Sequence, residues 1–105
     1  MNNRTRQRLP HRRVCESVGF EHSGQRFTLS VGRFWTGQVA EIFLSARKGG
    51  SAIESIARDA AIVTSLALQH GADLETIHHA LTREQDGGPS TLLGAALDLL
   101  TESEP

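Results

Sequence analysis

Gln38–Gly71 reads QVAEIFLSARKGGSAIESIARDAAIVTSLALQHG, and this stretch decides the fold. From Val39 to Ala46 the residues alternate. Ala40, Ile42, Leu44 and Ala46 share one face at period two, while Val39 and Phe43 lie on the other with Glu41 and Ser45. Apolar residues on both faces predict a central strand covered on both sides. Glu41 is the exception and must reach an edge or a cation, because burying a lone carboxylate is costly. Arg47-Lys48-Gly49-Gly50 predicts a tight turn, since glycine permits positive φ. Ser51 and Glu54 have capping-box spacing and open a long helix. Ile53, Ile56, Ala57, Ala60, Val63 and Ala67 form one apolar stripe at helical spacing, widened by Leu66 and Leu68. Gly71 ends the helix, with His70 at the negative end of its dipole.

Upstream, Val14 to Phe20 alternates as a first strand. Val14, Glu16, Val18 and Phe20 take one face, and Cys15, Ser17 and Gly19 the other. Glu21-His22-Ser23-Gly24 is a hairpin turn. Gln25 to Phe34 is a second strand with Phe27, Leu29 and Val31 inward, and Trp35-Thr36-Gly37 turns the chain into the third. Downstream, Asp73 caps a helix from Leu74 to about Arg83 with Leu74, Ile77, His78 and Leu81 as its stripe. Glu84 to Pro89 is a polar loop. Ser90 caps a last helix carrying Leu92, Leu93, Ala96, Leu97 and Leu100. The expected fold is α+β: a three-stranded antiparallel meander followed by one long and two shorter helices packed on the sheet.

A length of 105 residues suits one domain, too small for a cleft between two. Residues 1–13 contain five arginines and Pro10. They read either as a flexible tail or as a basic arm for phosphate, nucleic acid or an acidic partner. Residues 14–100 form the domain and 101–105 an acidic tail. A net charge of −1 names no partner. The single cysteine, Cys15, excludes an intrachain disulfide and a Cys-rich zinc site and fits a reducing compartment. With neither a transmembrane-length apolar run nor a signal-peptide core, a cytoplasmic location without membrane contact is expected.

Little in the chain looks catalytic. Cys15 has no local base or helix N-terminus to activate it and reads as a small strand or core residue. His78 and His79 point about 100° apart on a helix and cannot readily share a metal; one of them is expected inward with a hydrogen bond. Thr64 and Ser65 read as small packing residues whose hydroxyls bond the preceding turn. No Ser-His-Asp set can be assembled, and neither catalytic nor metal residues are expected. What remains is binding. A helix start with Arg47, Lys48, Gly49, Gly50 and Ser51 offers N–H groups, a positive dipole end and two cations to an anion. The lysine precedes the glycines, unlike a phosphate loop, so a plain turn and cap is the other reading. Trp35, beside Arg33 and Phe34, can stack on a base or a partner side chain, or fold back on the sheet. Arg33, Trp35, Arg47, Lys48, Gly49, Gly50 and Ser51 are therefore the candidate contacts for phosphate or a protein partner. Gly87-Gly88-Pro89-Ser90 is a second glycine loop before a helix, to which the same anion argument applies.

Several segments, taken in order, carry a resemblance. They are Leu9-Pro10 with Arg12-Arg13, Phe27-Thr28-Leu29-Ser30-Val31-Gly32, Gly37-Gln38-Val39-Ala40-Glu41-Ile42-Phe43-Leu44, Lys48-Gly49-Gly50-Ser51, Ser65-Leu66-Ala67-Leu68-Gln69-His70-Gly71 and Gly94-Ala95-Ala96-Leu97-Asp98. Across residues 9–100 they resemble the TSCPD domain. That domain is found at the C-terminal end of adenosylcobalamin (vitamin B12)-dependent ribonucleotide reductases and as small free-standing proteins. The resemblance implies a free-standing domain accessory to ribonucleoside-diphosphate reductase, and so to deoxyribonucleotide synthesis and DNA replication. It would bind a reductase, a nucleotide or nucleic-acid phosphate. Two departures bear on this. The Thr-Ser-Cys-Pro-Asp stretch that names the family is replaced after Gly88 by Pro-Ser-Thr-Leu-Leu, so no role of that cysteine carries over. The family's reductases also use a thiyl-radical cysteine, a dithiol pair and adenosylcobalamin. One cysteine cannot supply three thiols, so the chain alone is expected to be non-catalytic and without a cofactor. The competing expectations are a homodimeric interaction module that covers a sheet edge with its twin, or a small phosphate- or nucleic-acid-binding protein.

Overall fold

The computed structural model describes residues 6–7, 15–46 and 50–103; Val14, Arg47, Lys48 and Gly49 lie outside them. Strands β1 (Cys15–His22), β2 (Gln25–Arg33) and β3 (Val39–Ala46) form one antiparallel sheet in the order β1-β2-β3. Helices α1 (Ala52–Gln69), α2 (Leu74–Ala80) and α3 (Leu92–Ser103) follow. This is the expected α+β meander.

The first hairpin is tighter than expected. β1 continues through Glu21 and His22, and only Ser23 and Gly24 make the reversal, at φ 52° and 77°. Two successive positive φ values mark a type I′ turn, whose twist matches that of the strands. The register pairs Phe20 with Phe27, Val18 with Leu29 and Glu16 with Val31. At the other end, Phe34 N–H donates to the Gln38 carbonyl, and Gly37 N–H to the Phe34 carbonyl, both at 2.9 Å.

The core joins Phe20, Phe27, Leu29, Val31, Ile42 and Leu44 of the sheet to Leu92, Leu93, Ala96, Leu97 and Leu100 of α3 and the small face of α1. Each buried leucine of α3 is worth roughly 1.5–3 kcal/mol. Some sheet expectations need correction. The strand order makes β2 central and β3 an edge, and Phe43 is 47% exposed. Glu41 does lie on an edge strand, as expected, and is buried with its side chain over Gly32, where an added Cβ would lie 2.7 Å from Glu41 Oε1. On β1 only Phe20 is buried; Glu16, Val18 and Cys15 are exposed, because the strand borders the sheet.

The largest correction concerns α1. Its buried face is Glu54, Ala57, Ala61, Thr64, Ser65, Leu68 and Gln69, while Ile53, Ile56, Ile62, Val63 and Leu66 are exposed. The helix is rotated roughly a quarter turn from the face its apolar stripe predicts, at 100° per residue. The physical reason is the edge of β3. An edge strand leaves alternate N–H and C=O groups unpaired, and such groups need partners once buried. Three polar side chains of α1 supply them. Ser65 Oγ accepts the Ile42 N–H at 2.9 Å and lies 3.0 Å from the Ile42 carbonyl. Gln69 Nε2 donates to the Ala40 carbonyl at 3.1 Å. Glu54 Oε2 accepts the Ala46 N–H at 2.8 Å. The helix thus closes the edge where a fourth strand would pair. Ala57 and Ala61, both buried, present little bulk on the face that packs there.

The ends of α1 follow the sequence. Ser51 Oγ accepts the Glu54 N–H at 3.0 Å. Glu54 Oε1 takes the Gly50 N–H at 2.9 Å, a variation on the expected box. At the C-terminus Gly71 has φ 100°, and Ala72 N–H bonds the Ala67 carbonyl at 2.9 Å, closing a Schellman motif. α2 ends at Ala80, short of Arg83. Thr91, not Ser90, receives the amide at the start of α3, from Gly94 at 3.1 Å. Of the N-terminal segment, Gln7 N–H donates to the Gln69 carbonyl at 2.7 Å, and Arg6 Nε donates to Gln69 Oε1.

Candidate functional site

The four described residues among those selected from sequence, Arg33, Trp35, Gly50 and Ser51, fall into two groups. Arg33 and Trp35 lie before β3, and Gly50 and Ser51 lie after it. Eight strand residues separate the two groups by about 25 Å. Arg33 is engaged within the hairpin: its Nε meets Glu16 Oε1 at 3.1 Å and its Nη1 donates to the Gly37 carbonyl at 2.9 Å. Trp35 is 82% exposed and does not fold back on the sheet. Arg47, Lys48 and Gly49 are outside the described residues. At the start of α1, Gly50 N–H and Ser51 Oγ are both bonded to Glu54. The backbone N–H of Ala46, then that of Gly50, holds the Glu54 carboxyl below the usual carboxylate range. The anion at this helix start is therefore the chain's own carboxylate, set where the dipole favours it.

The rotation of α1 creates a different candidate. Ile56 and Val63 are 70% and 65% exposed, on the same side of the helix as Ile53 and Ala60. Beside them lies a groove of about 450 Å³ between the first hairpin, the N-terminal half of α1 and the start of α3. Phe27, Ile53, Ile56, Ala60, Leu81 and Leu93 supply its apolar wall, and His22, Gln25 and Ser90 add polar groups. An exposed apolar patch with polar neighbours marks an interaction surface. The sequence reading missed it by assigning the same aliphatic residues to the core. The available signal was the polar set Glu54, Ser65 and Gln69, which falls along one side of the helix.

A second cluster joins α2 to α3. Arg83 donates to both oxygens of Asp98, from Nη1 to Oδ2 at 2.9 Å and from Nη2 to Oδ1 at 2.6 Å. His78 Nε2 lies 2.6 Å from Asp98 Oδ1 and 2.9 Å from Arg83 Nη2. The Arg83 hydrogen bond, with help from His78 and against partial burial, pulls Asp98 down to about 2, and the same bond raises Arg83. So strongly held a carboxylate is a weak base near neutrality; its evident work is to clamp two helices. The inward, hydrogen-bonded histidine expected on α2 is His78. Its carboxylate partner Asp98 lies twenty residues away, and no local pattern announces it.

Among the described residues, no group of three or more His, Cys, Asp or Glu side chains is arranged to hold a metal, and no helix is long and apolar enough to cross a membrane.

Comparison with known proteins adds a lineage. The model of the TSCPD domain family matches residues 3–101. A curated relative, the vitamin B12-dependent ribonucleotide reductase of Bradyrhizobium diazoefficiens, is 33% identical over 88 residues. The match takes in 82% of this chain and 7% of the reductase, so the chain spans a small fraction of that relative's length. No solved structure matches.

Proposed function

The chain belongs to the TSCPD domain family, and from that premise we propose that it is an accessory domain of ribonucleotide reduction, docking on a B12-dependent reductase through the exposed apolar side of α1. One observation carries the reading: Ile53, Ile56 and Val63 stand in solvent while Glu54, Ser65 and Gln69 of the same helix are buried. The face that would normally seal a core is free to seal an interface. Burying Ile56 and Val63 against a partner would contribute roughly 1–2 kcal/mol each, the scale of interface anchors.

No reaction step is assigned to the chain. Cys15 is its one thiol, and the family's reductases need three. Cobalamin would stay with the reductase, and no cofactor is proposed for this chain. The cytoplasm is the proposed setting, consistent with a lone unpaired cysteine. Phosphate binding at Gly50 and Ser51 is the weaker reading, since an incoming anion would have to displace Glu54. The test is capture of the tagged chain from its own cell extract, with bound proteins identified by mass spectrometry. Recovery of a ribonucleotide reductase, and a change in its turnover when the chain is added, is the expected outcome. Capture that returns no reductase contradicts the proposal.

A further inference from the structure

We infer that the chain pairs with a second copy of itself through β1, edge to edge and antiparallel, about a twofold axis at Gly19. Two three-stranded sheets then become one of six strands. The bonding pattern across the sheet identifies the free groups. Ile42 turns both its N–H and its C=O outward to Ser65, so Val31, its partner in register, turns its own groups toward β1. Glu16, Val18 and Phe20 accordingly bond β2, while Cys15, Ser17, Gly19 and Glu21 present their peptide groups at the outer edge. Among the described residues nothing pairs with that edge. Among the described residues the sheet's two edges are thus treated differently, one closed by α1 and the other uncovered.

β1 has only part of the usual protection of a free edge, the core-side charge of Glu16. Its register is regular over eight residues, and it contains no proline or lysine. Val18, on the core side of the strand, is 48% exposed. The strand's own sequence supplies the occupant. With the axis at Gly19, Val18 faces the second copy's Phe20 and Glu16 faces the second copy's His22, each twice by symmetry. Apolar meets apolar, carboxylate meets imidazole, and no like charges oppose. Arg33, already 3.1 Å from Glu16, extends the charged set. Moving the axis to Val18 sets Glu16 against Phe20, and moving it to Ser17 sets Glu16 against Val18; both oppose charge to apolar surface. Glycine at the axis removes side-chain bulk where the backbones approach. The inference is independent of docking through α1.

Two measurements on the whole chain test it. Sedimentation across a concentration series should report a dimer that dissociates on dilution, and Val18→Lys should weaken it at least tenfold with circular dichroism unchanged. Amide hydrogen exchange should show Ser17, Gly19 and Glu21 slowed at high concentration and fast on dilution, with Glu16, Val18 and Phe20 slow throughout. A monomer at every concentration overturns the inference. So does a dimer in which the Ser17, Gly19 and Glu21 amides exchange freely, because the contact would then lie elsewhere.

Discussion

The Ser65 hydroxyl of α1 accepts the Ile42 N–H of β3 at 2.9 Å and lies 3.0 Å from the Ile42 carbonyl and 2.8 Å from that of Ala61. One buried hydroxyl therefore satisfies a strand edge and fixes how the helix is turned. Ser65→Ala leaves the Ile42 peptide groups buried without partners, at an expected cost of about 1–3 kcal/mol. Thr64 is the control. Its hydroxyl bonds only the Ala60 carbonyl of its own helix, at 2.8 Å, so Thr64→Val should cost less than about 1 kcal/mol. Urea unfolding, with midpoints compared at constant slope, separates the two.

Asp98 makes stability depend on acid. Its carboxyl titrates at about 2 in the folded chain, down from 3.8. In the interval between, the unfolded chain binds the proton first, so stability is complete above 3.8 and is lost as pH falls toward 2. The clamp lies near the surface, which limits its expected contribution to roughly 1–2 kcal/mol. Asp98→Asn should flatten the decline in unfolding free energy between pH 5 and pH 2 by about that amount. Glu54, lowered by backbone N–H groups, contributes with the same sign and accounts for part of the remaining slope.

These two sites also show what the sequence reveals and what it hides. The meander was readable because period-two alternation and turns at Ser23-Gly24 and Gly37 place strong demands on residue choice. The ends of α1 were readable for the same reason, at Ser51 and Gly71. The rotation of α1 was not. Periodicity reports where apolar residues lie, and the face that packs is chosen by what the neighbour requires. Here β3 requires hydrogen-bond partners, so Glu54, Ser65 and Gln69 go inward and Ile56 and Val63 come out. Thr64 and Ser65 do bond the preceding turn as expected, but Ser65's contact with Ile42 depends on β3 lying beside the helix. The His78–Asp98 contact likewise exists only once α2 and α3 are packed.

The orientation of α1 can be tested without any partner. Ile56→Glu and Val63→Glu should each change stability by less than about 0.5 kcal/mol, because both side chains already stand in water. Ala61→Leu enlarges a residue that is 1% exposed and should cost about 1–3 kcal/mol through overpacking. Thermal melts of the three variants rank them. The reverse order would restore the stripe first read from the sequence.

Inorganic phosphate provides a further check at the start of α1. Because Glu54 holds the Gly50 N–H, the Gly50 and Glu54 amide resonances should stay in place as phosphate is added. Their displacement at low salt would mean that Glu54 yields to an incoming anion, and would return the site to the phosphate reading.

The most direct test of docking through α1 is a calorimetric titration of the chain into a B12-dependent ribonucleotide reductase from the same cells, prepared without this domain. The wild-type chain should bind saturably. A folded Ile56→Glu, Val63→Glu double variant should bind at least a hundredfold more weakly. No binding by the wild type, or equal binding by the double variant, would contradict it.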